Sequence, residues 1–481
     1  MLTRRLFVPM LCSAALVVTG APIAAGGESP GAAPAPSERR APGSWTEIST
    51  GRIANTNQPT LLRTSNGQLH IVHGKRIGAS DYYDQVLVSR AGSVVGRNPV
   101  LGPWNSLPTD PVLALRPDGG LHLSFSGIQD NNVGNFFSKG KGYYATSDAT
   151  GLAWNVPAEG TVASGASSST GSDALVLDDG TPVTSGAQIG GVWWRAGTYP
   201  AAAVTTATDQ TIPWPCCAYN TSLARVGSSV WLAWSSNASS RRGLYVKQIL
   251  PAEGPEQLVP RSVTNGSSLD PGARVAMVAR PDGSVVMAYR VGYPTTKYVA
   301  LWEVGTSRVR KVPGSKGAYK VSLGVAPDGK LWTSWYVNGP DRVRAVRTSE
   351  RGFRFGGVST VRYPGRNDSV YQISSEASAA TLDVVVNTGD ALWHRKVRAA
   401  LQLSARPRSW RAGRSQVVRF TVKDAGERIR GAKVKAGGKR CRTNGRGVCS
   451  IRLPASRPRQ VRATAVKRFY DPGTVKLRVR R

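Results

Sequence analysis

One short pattern recurs seven times along this chain and narrows what it can fold into. In DPVLALRPDGGLHLSFSG, residues 110–127, two runs of branched and aromatic residues, Val112 to Leu115 and Leu121 to Phe125, flank Pro117-Asp118-Gly119. Such side chains favour extended backbone, and Asp-Gly turns the chain at low steric cost, so the segment predicts a β-hairpin. Related segments stand at 58–73, 172–186, 219–235, 273–290, 319–337 and 370–386. Between Gly67, Gly119, Gly180, Gly227, Gly283 and Gly329 the intervals are 52, 61, 47, 56 and 46 residues. A third extended run follows each hairpin (84–89, 142–147, 191–196, 243–248, 297–304, 342–348 and 391–397), and most have a fourth, such as 257–260 or 309–313.

Strands grouped in fours at a period near fifty residues predict an all-β chain whose main part, 44–399, is a seven-bladed β-propeller. The seventh group stops without a fourth strand near residue 400, while SWTEIS (44–49) precedes the first hairpin with no group of its own. Residues 44–49 are therefore expected to pair with 391–397 and close the ring as the outer strand of blade seven.

Charge divides the chain unevenly. Of a net +34, residues 401–481 supply +21, from 24 Lys/Arg against 3 Asp/Glu. At the other end, Arg4 and Arg5 precede the apolar run Leu6–Val18 and small residues up to Gly27, which reads as a signal peptide over 1–27. Thr3 to Val8 resembles the twin-arginine consensus, and an ordinary two-charge n-region fits the same residues. Residues 28–43 read as a Gly/Pro/Ala/Ser linker. No internal run is long and apolar enough for a transmembrane anchor. A secreted or envelope-associated protein is expected.

Four cysteines lie beyond the signal segment. Cys441 and Cys449 flank Asn444-Gly445-Arg446, where a three-residue turn would set them opposite each other on a hairpin and allow a disulfide. The adjacent Cys216 and Cys217 read equally as a vicinal disulfide or as two thiols. His70, His73, His122 and His394 have no ligand spacing with the cysteines, so neither a metal nor another cofactor is expected. Residues 400–481 alternate short strands and turns, which suits a small β-sandwich. Outside the cytoplasm, so basic a module predicts a cell-envelope polyanion as partner, with nucleic acid an improbable specific partner.

Two resemblances add to this reading. GERIRGAKVKAGGKRCRTNGRGVCSIRLP (426–454) resembles bacterial immunoglobulin-like or carboxypeptidase-regulatory-like modules, which implies an immunoglobulin-like sandwich over 400–481. YYATSDATGLAW (143–154) is similar to the Asp box, or BNR repeat, of sialidases, with one extra residue between Asp148 and Gly151. RTSERGFRF (347–355) fits the box spacing with Glu350 in the Asp position. Residues 56–90 resemble the first blade of that family. The likeness implies a sialidase-like propeller in which the box is a folding turn between third and fourth strands.

Propeller geometry puts the 1–2 and 3–4 turns at one end and the 2–3 and 4–1 connections at the other. The long connections, 73–84 and 126–142 among them, predict a binding face at the second end. Its candidate residues are His73, Arg76, Asp81, Tyr82, Tyr83 and Asp84 from blade one and Asp130, Asn131 and Asn132 from blade two. Cys216, Cys217 and Tyr219 follow from blade four, Arg290 and Tyr293 from blade five, and Tyr371 from blade seven. Aromatics among Asn, Asp and Arg suit a glycan or anionic polysaccharide: rings stack on sugar faces, and forked groups hold hydroxyls or carboxylates. By the sialidase resemblance, Asp81 or Asp84 corresponds to the acid/base and Tyr371 to the nucleophile. Asn57 stands where that family has a carboxylate-binding Arg, and no Glu stands out as the partner of Tyr371. An unassisted tyrosine is a poor nucleophile at neutral pH. The reading is a binder of an acidic glycan; the alternative is a glycoside hydrolase or a polysaccharide lyase, the latter using His73, Tyr83 and Arg76.

Overall fold

A computed structural model describes residues 40–41, 45–51, 58–104, 110–127, 140–156, 164–168, 170–188, 191–197, 210–215, 218–263, 274–292, 295–337, 342–352, 354–362, 370–378, 381–454, 457 and 459–481. Every regular element among them is a strand. The signal and linker segments, apart from the two-residue strand Arg40–Ala41, lie outside the described residues, as do Asn57, Asp130, Asn131, Asn132, Cys216, Cys217 and Tyr293.

Among the described residues, seven sheets follow one another along the chain, each an antiparallel run of first to fourth strands. The first strands are Thr60–Arg63, Val112–Leu115, Thr170–Val176, Ala218–Val226, Ala276–Ala279, Ala318–Val325 and Gln372–Ala377. Each touches the next, and the last returns to the first, so the inner strands form a closed cycle around an axis. This radial arrangement is a β-propeller. The hairpin turn is as the sequence implies: Gly119 N donates to Arg116 O at 3.0 Å, Arg116 N to Gly120 O at 2.8 Å, and the Asp118 carboxylate accepts Gly120 N–H. Gly119 sits at φ 85°, left-handed backbone that a side chain would strain.

Apolar side chains fill the gaps between neighbouring sheets. Tyr83, Trp104, Phe125 and Tyr143 interlock edge to face between the first and second, with ring centroids 4.8–5.6 Å apart. Trp214, Trp234 and Tyr245 do the same between the third and fourth. Aromatic pairs of this kind add about 0.5–1.5 kcal/mol beyond the area they bury.

Closure comes from the first long strand. Trp45–Thr50 pairs with Ala391–Ala400, Thr46 opposite His394 and Thr50 opposite Ala391, as the orphan segment implied. Its alternating side chains serve two different gaps. Trp45 enters the cluster between the sixth and seventh sheets, and Ile48 the one between the seventh and first. Trp45 Nε1 also donates to Arg362 O at 2.7 Å.

Residues 402–480 form two further sheets around one apolar core. The expected Cys441–Cys449 bridge is present, but the hairpin expected around it is not. Lys439–Arg442 pairs with Lys433–Ala436, whereas Val448–Leu453 pairs with Gln416–Asp424 in the other sheet. The chain crosses between sheets at the Asn444 turn, and the disulfide fastens one sheet to the other. Both sheets need their inner face covered, which outweighs the local preference of a tight turn for a hairpin.

This pair of sheets is docked on the ring. Tyr470–Asp471 adds in parallel to the end of Ala391–Ala400. Arg347, at the end of a third strand, pairs with Asp424, both nearly fully buried, and donates to the Tyr470 hydroxyl at 3.1 Å. Lys330, in a 1–2 turn, pairs with Glu427 at 3.1 Å. All these contacts lie at the end of the ring that carries the 1–2 and 3–4 turns.

Two outcomes follow. Trp45→Ala should cost about 3–5 kcal/mol in urea denaturation, because it empties one gap and loosens the strand that closes the ring. Replacing Cys441 and Cys449 together by Ser should cost about 2–3 kcal/mol of loop-closure entropy. An unchanged midpoint would contradict either assignment.

Candidate functional site

Second-strand residues expected on a loop are on regular backbone instead. Leu69–Ile77 and Ser80–Val88 continue as one long hairpin with only Gly78-Ala79 at its tip, so 73–84 is paired strand and not a long loop. His73 and Tyr83 are buried but on opposite faces of the sheet, since Tyr83 lies opposite Gly74 and His73 opposite Asp84, with His73 Nδ1 3.2 Å from Gly74 O. Burial pushes the His73 imidazole below its ordinary value. Arg76 is paired with Asp81 at 3.4 Å and Lys75 with Asp84 at 3.4 Å, across the two strands of the hairpin. The Tyr82 ring lies over Gly102, where a Cβ would come within 2.3 Å of it. These residues stand on the second and third strands, away from the axis, and neither an acid/base pair nor a His–Tyr–Arg set is assembled from them. The alternation of side chains along a strand separates them: neighbours in sequence face opposite gaps.

Tyr371, Tyr219 and Arg290 do lie at the 2–3/4–1 end. Tyr371 precedes the first strand of the seventh sheet, its N–H donating to Asn387 O at 2.9 Å, and its ring is 36% exposed. Tyr219, half-buried, opens the fourth sheet, and its carbonyl accepts the Ser235 hydroxyl at 3.0 Å. The Arg290 guanidinium lies 5.4 Å over the ring of Tyr319, another exposed aromatic at the start of a first strand. Among the described residues no carboxylate hydrogen-bonds Tyr371.

The axis holds a polar pocket of about 150 Å³ that sequence reasoning missed. First strands of six sheets line it, with Thr60, Asp173, Ser222, Arg274, Ser322 and Ser374 as its main polar side chains. Arg274 reaches across the axis. Its guanidinium donates to Pro111 O at 2.8 Å and lies 3.9 Å from Asp173, while its backbone N–H donates to Gln58 Oε1 at 2.9 Å. Gln58 in turn donates from Nε2 to Ile373 O at 3.2 Å and from its backbone N–H to Asp110 at 2.7 Å. Asp173 is fixed by the N–H groups of Leu223 and Ala174 at 2.7 and 3.0 Å. The Ser374 hydroxyl is buried without a hydrogen-bond partner.

One signal could have exposed this network. Gln58, Asp110, Arg274 and Lys320 each stand nine residues before a turn glycine, Gly67, Gly119, Gly283 and Gly329. The same repeat position is thus polar in four copies, where an inner strand meets the axis. Burial raises both carboxyls, Asp173 above its ordinary value and Asp110 to about 6, against the opposing pull of Arg274.

The Asp148 carboxylate caps its 3–4 turn, accepting the Thr150 hydroxyl at 2.8 Å and the N–H groups of Leu152 and Ala153 at 3.1 and 3.2 Å. It is a folding element. The buried Asp383 is another, holding His394 at 2.8 Å together with Arg63 and Lys396 at the opposite end of the ring.

No protein-family model and no curated protein sequence matches this chain. In fold it is similar to an ulvan lyase of a new polysaccharide lyase family, at 9% identity over 73% of this chain and 95% of that one, TM-score 0.47. It is also similar to a Hadza microbial sialidase, at 10% identity over 71% of this chain, TM-score 0.43, and spans 65% of that sialidase's length. A third likeness is to the six-bladed fucose-recognising lectin of the fungus Aleuria aurantia, at 12% identity over 72% of this chain and 93% of that one, TM-score 0.37.

The raised Asp110 has a measurable consequence. Between its ordinary value of 3.8 and about 6 the folded chain holds a proton that the unfolded chain has released. Its contribution to stability therefore falls as pH rises through that window. Asp110→Asn should flatten the loss between pH 4 and 6, by on the order of 2–3 kcal/mol, in denaturation midpoints measured against pH. An unchanged slope would place the ionised carboxylate in the native state throughout.

Proposed function

We propose that this chain is an exported seven-bladed propeller of sialidase-like type carrying an immunoglobulin-like sandwich, and that it binds a hydroxyl-rich, acidic glycan at its axial pocket. The observation that carries this reading is the pocket itself. Hydroxyls of Thr60, Ser222, Ser322 and Ser374, the Asp173 carboxylate and the Arg274 guanidinium converge there from separate sheets, in a space suited to one sugar ring. A rigid ring presents donors and acceptors in fixed directions, so little ordering cost falls on binding. Exposed Tyr319 and Tyr371, at the same end of the ring, supply apolar faces on which neighbouring sugars stack. The sandwich sits at the opposite end, so it can hold the chain to an envelope polyanion while the pocket stays open.

Binding is favoured over cleavage because Asp173 is tied to two backbone N–H groups and to Arg274, and Tyr371 has no carboxylate partner among the described residues. The raised Asp173 carboxyl is the one feature that favours a hydrolase or lyase.

A glycan array run beside product analysis on acidic polysaccharides tests both. The expected result is retention without products. Ser374→Val and Tyr371→Ala should each weaken retention about tenfold, or about 1.4 kcal/mol, with the fold intact. Released oligosaccharide that disappears in Asp173→Asn would make this an enzyme, and undiminished retention in both variants would move the site off the axis.

A further inference from the structure

The outer face of one sandwich sheet is built against its own stability. Its strands run in the order Ser409–Arg411, Gly473–Arg480, Arg459–Val466, Lys433–Ala436 and Lys439–Arg442. Side chains alternate strictly along them. Leu477, Val479, Val461, Ala463, Val434 and Ala436 point inward to the core, and the intervening residues point out. Arg462 then lies directly opposite Lys476, Lys435 opposite Arg440, and Lys433 opposite Arg442; at the far edge Arg411 lies beside Arg480. All eight are exposed, and none is in an ion pair among the described residues. Like charges directly opposite across a sheet, with Cβ atoms only about 5 Å apart, are destabilising.

Acidic residues could have relieved this face, but the sandwich spends its three elsewhere. Asp424 pairs with Arg347 and Glu427 with Lys330, both on the ring, and the Asp471 backbone joins the seventh sheet and Leu401. The other sandwich sheet carries fewer outward cations, Arg406, Arg419, Lys423, Arg428 and Arg452, with Gln402, Ser404, Thr421 and Ser450 interspersed, and two opposed pairs, Arg406 with Arg419 and Lys423 with Arg428. The crowding of cations is densest on the first face.

We propose that this face is the binding surface for a linear envelope polymer whose repeat units are joined by phosphodiesters. This rests on the reading that the sandwich holds the chain to an envelope polyanion, and it names the surface and the polymer. Along Gly473–Arg480 the outward cations Lys476, Arg478 and Arg480 recur about every 6.8 Å, and the opposed pairs stand about 4.8 Å apart across strands. An extended polyanion lying along that row meets successive cations, with the opposed pairs at its flank. Guanidinium groups grip phosphate oxygens through paired N–H donors, which favours Arg over Lys at such a surface. The face carries no aromatic side chain, so it has no platform for the bases of a single-stranded nucleic acid. Its apolar content is limited to Val466 at one end of a strand, so it has nothing to insert between lipids.

The experiment compares the full chain with two charge-matched double variants, R462E/K435E on this face and R406E/R452E on the other sheet. The probe is synthetic poly(glycerol phosphate), with double-stranded DNA and phosphatidylserine vesicles as separate arms. R462E/K435E should bind poly(glycerol phosphate) at least about tenfold more weakly, and the slope of log affinity against log salt should fall by about two. The same variant should melt at a higher temperature than the parent, since each substitution turns an opposed like-charge pair into an opposite-charge one. R406E/R452E should lose far less. Equal losses in both variants, or tighter binding to DNA or vesicles than to the polymer, would overturn the proposal while leaving the envelope reading intact. Failure of the parent chain to bind any of the three would overturn both. Glycan retention at the axial pocket should be the same in all three proteins.

Discussion

A β-sheet with two apolar faces is soluble only when both are covered, and in this chain each sheet of the ring depends on a neighbour at either side. That condition has no solution for an open row, because the end sheets would each expose a face. It is met by shutting the row on itself. Trp45 and Ile48 do this from a single strand, one filling the gap ahead of the seventh sheet and the other the gap behind it. Buried side chains of this size contribute about 1.5–3 kcal/mol each, and the cross-strand pairing with Ala391–Ala400 joins the two ends of the ring through backbone hydrogen bonds. Everything at the axis inherits its position from that closure.

Closing a ring of sheets also creates the one place where apolar packing is geometrically denied. Inner strands converge on the axis but cannot fill it. The chain answers with polar groups: Arg274 reaches from the fifth sheet to Pro111 and Gln58, and Gln58 passes the connection to Ile373 in the seventh. A buried charge without partners would cost several kcal/mol, and the Arg274 guanidinium is held by Pro111 O and by the nearby Asp173, although its Nε is buried without a partner among the described residues. The Ser374 hydroxyl, in the pocket wall, is likewise buried without a partner among the described residues.

The C-terminal pair of sheets divides its charge by place. Its carboxylates are spent at the contact with the ring, where Arg347 lies between Trp332 and Tyr470 and neutralises Asp424. Its cations are densest on the outer face of one sheet, where they are exposed. Together these put a basic surface at one part of the chain and the polar pocket at the end of the ring away from the docked sandwich.

Strand content, the hairpin repeat and the closing strand were legible because each depends on neighbours in sequence: branched residues, an Asp-Gly turn, and an unmatched strand at either end. The disulfide was legible as a pair of cysteines at short range. Its role was not, because only the packing of two sheets decides that Cys441 and Cys449 belong to different ones. The polar pocket at the axis was not legible for a related reason. Residues 73–84 carry the chemistry of a binding loop, yet the alternation that makes the hairpin buries Tyr83 and His73 on opposite faces of the sheet, and Arg76 pairs with Asp81. The pocket residues come from 58 to 375 and share only a repeat position, so no local pattern joins them. Local backbone preference and the period of apolar residues are written in the chain one segment at a time. Which side chains meet at an axis is settled only when distant strands are brought within a few ångströms, and that is a property of the closed ring.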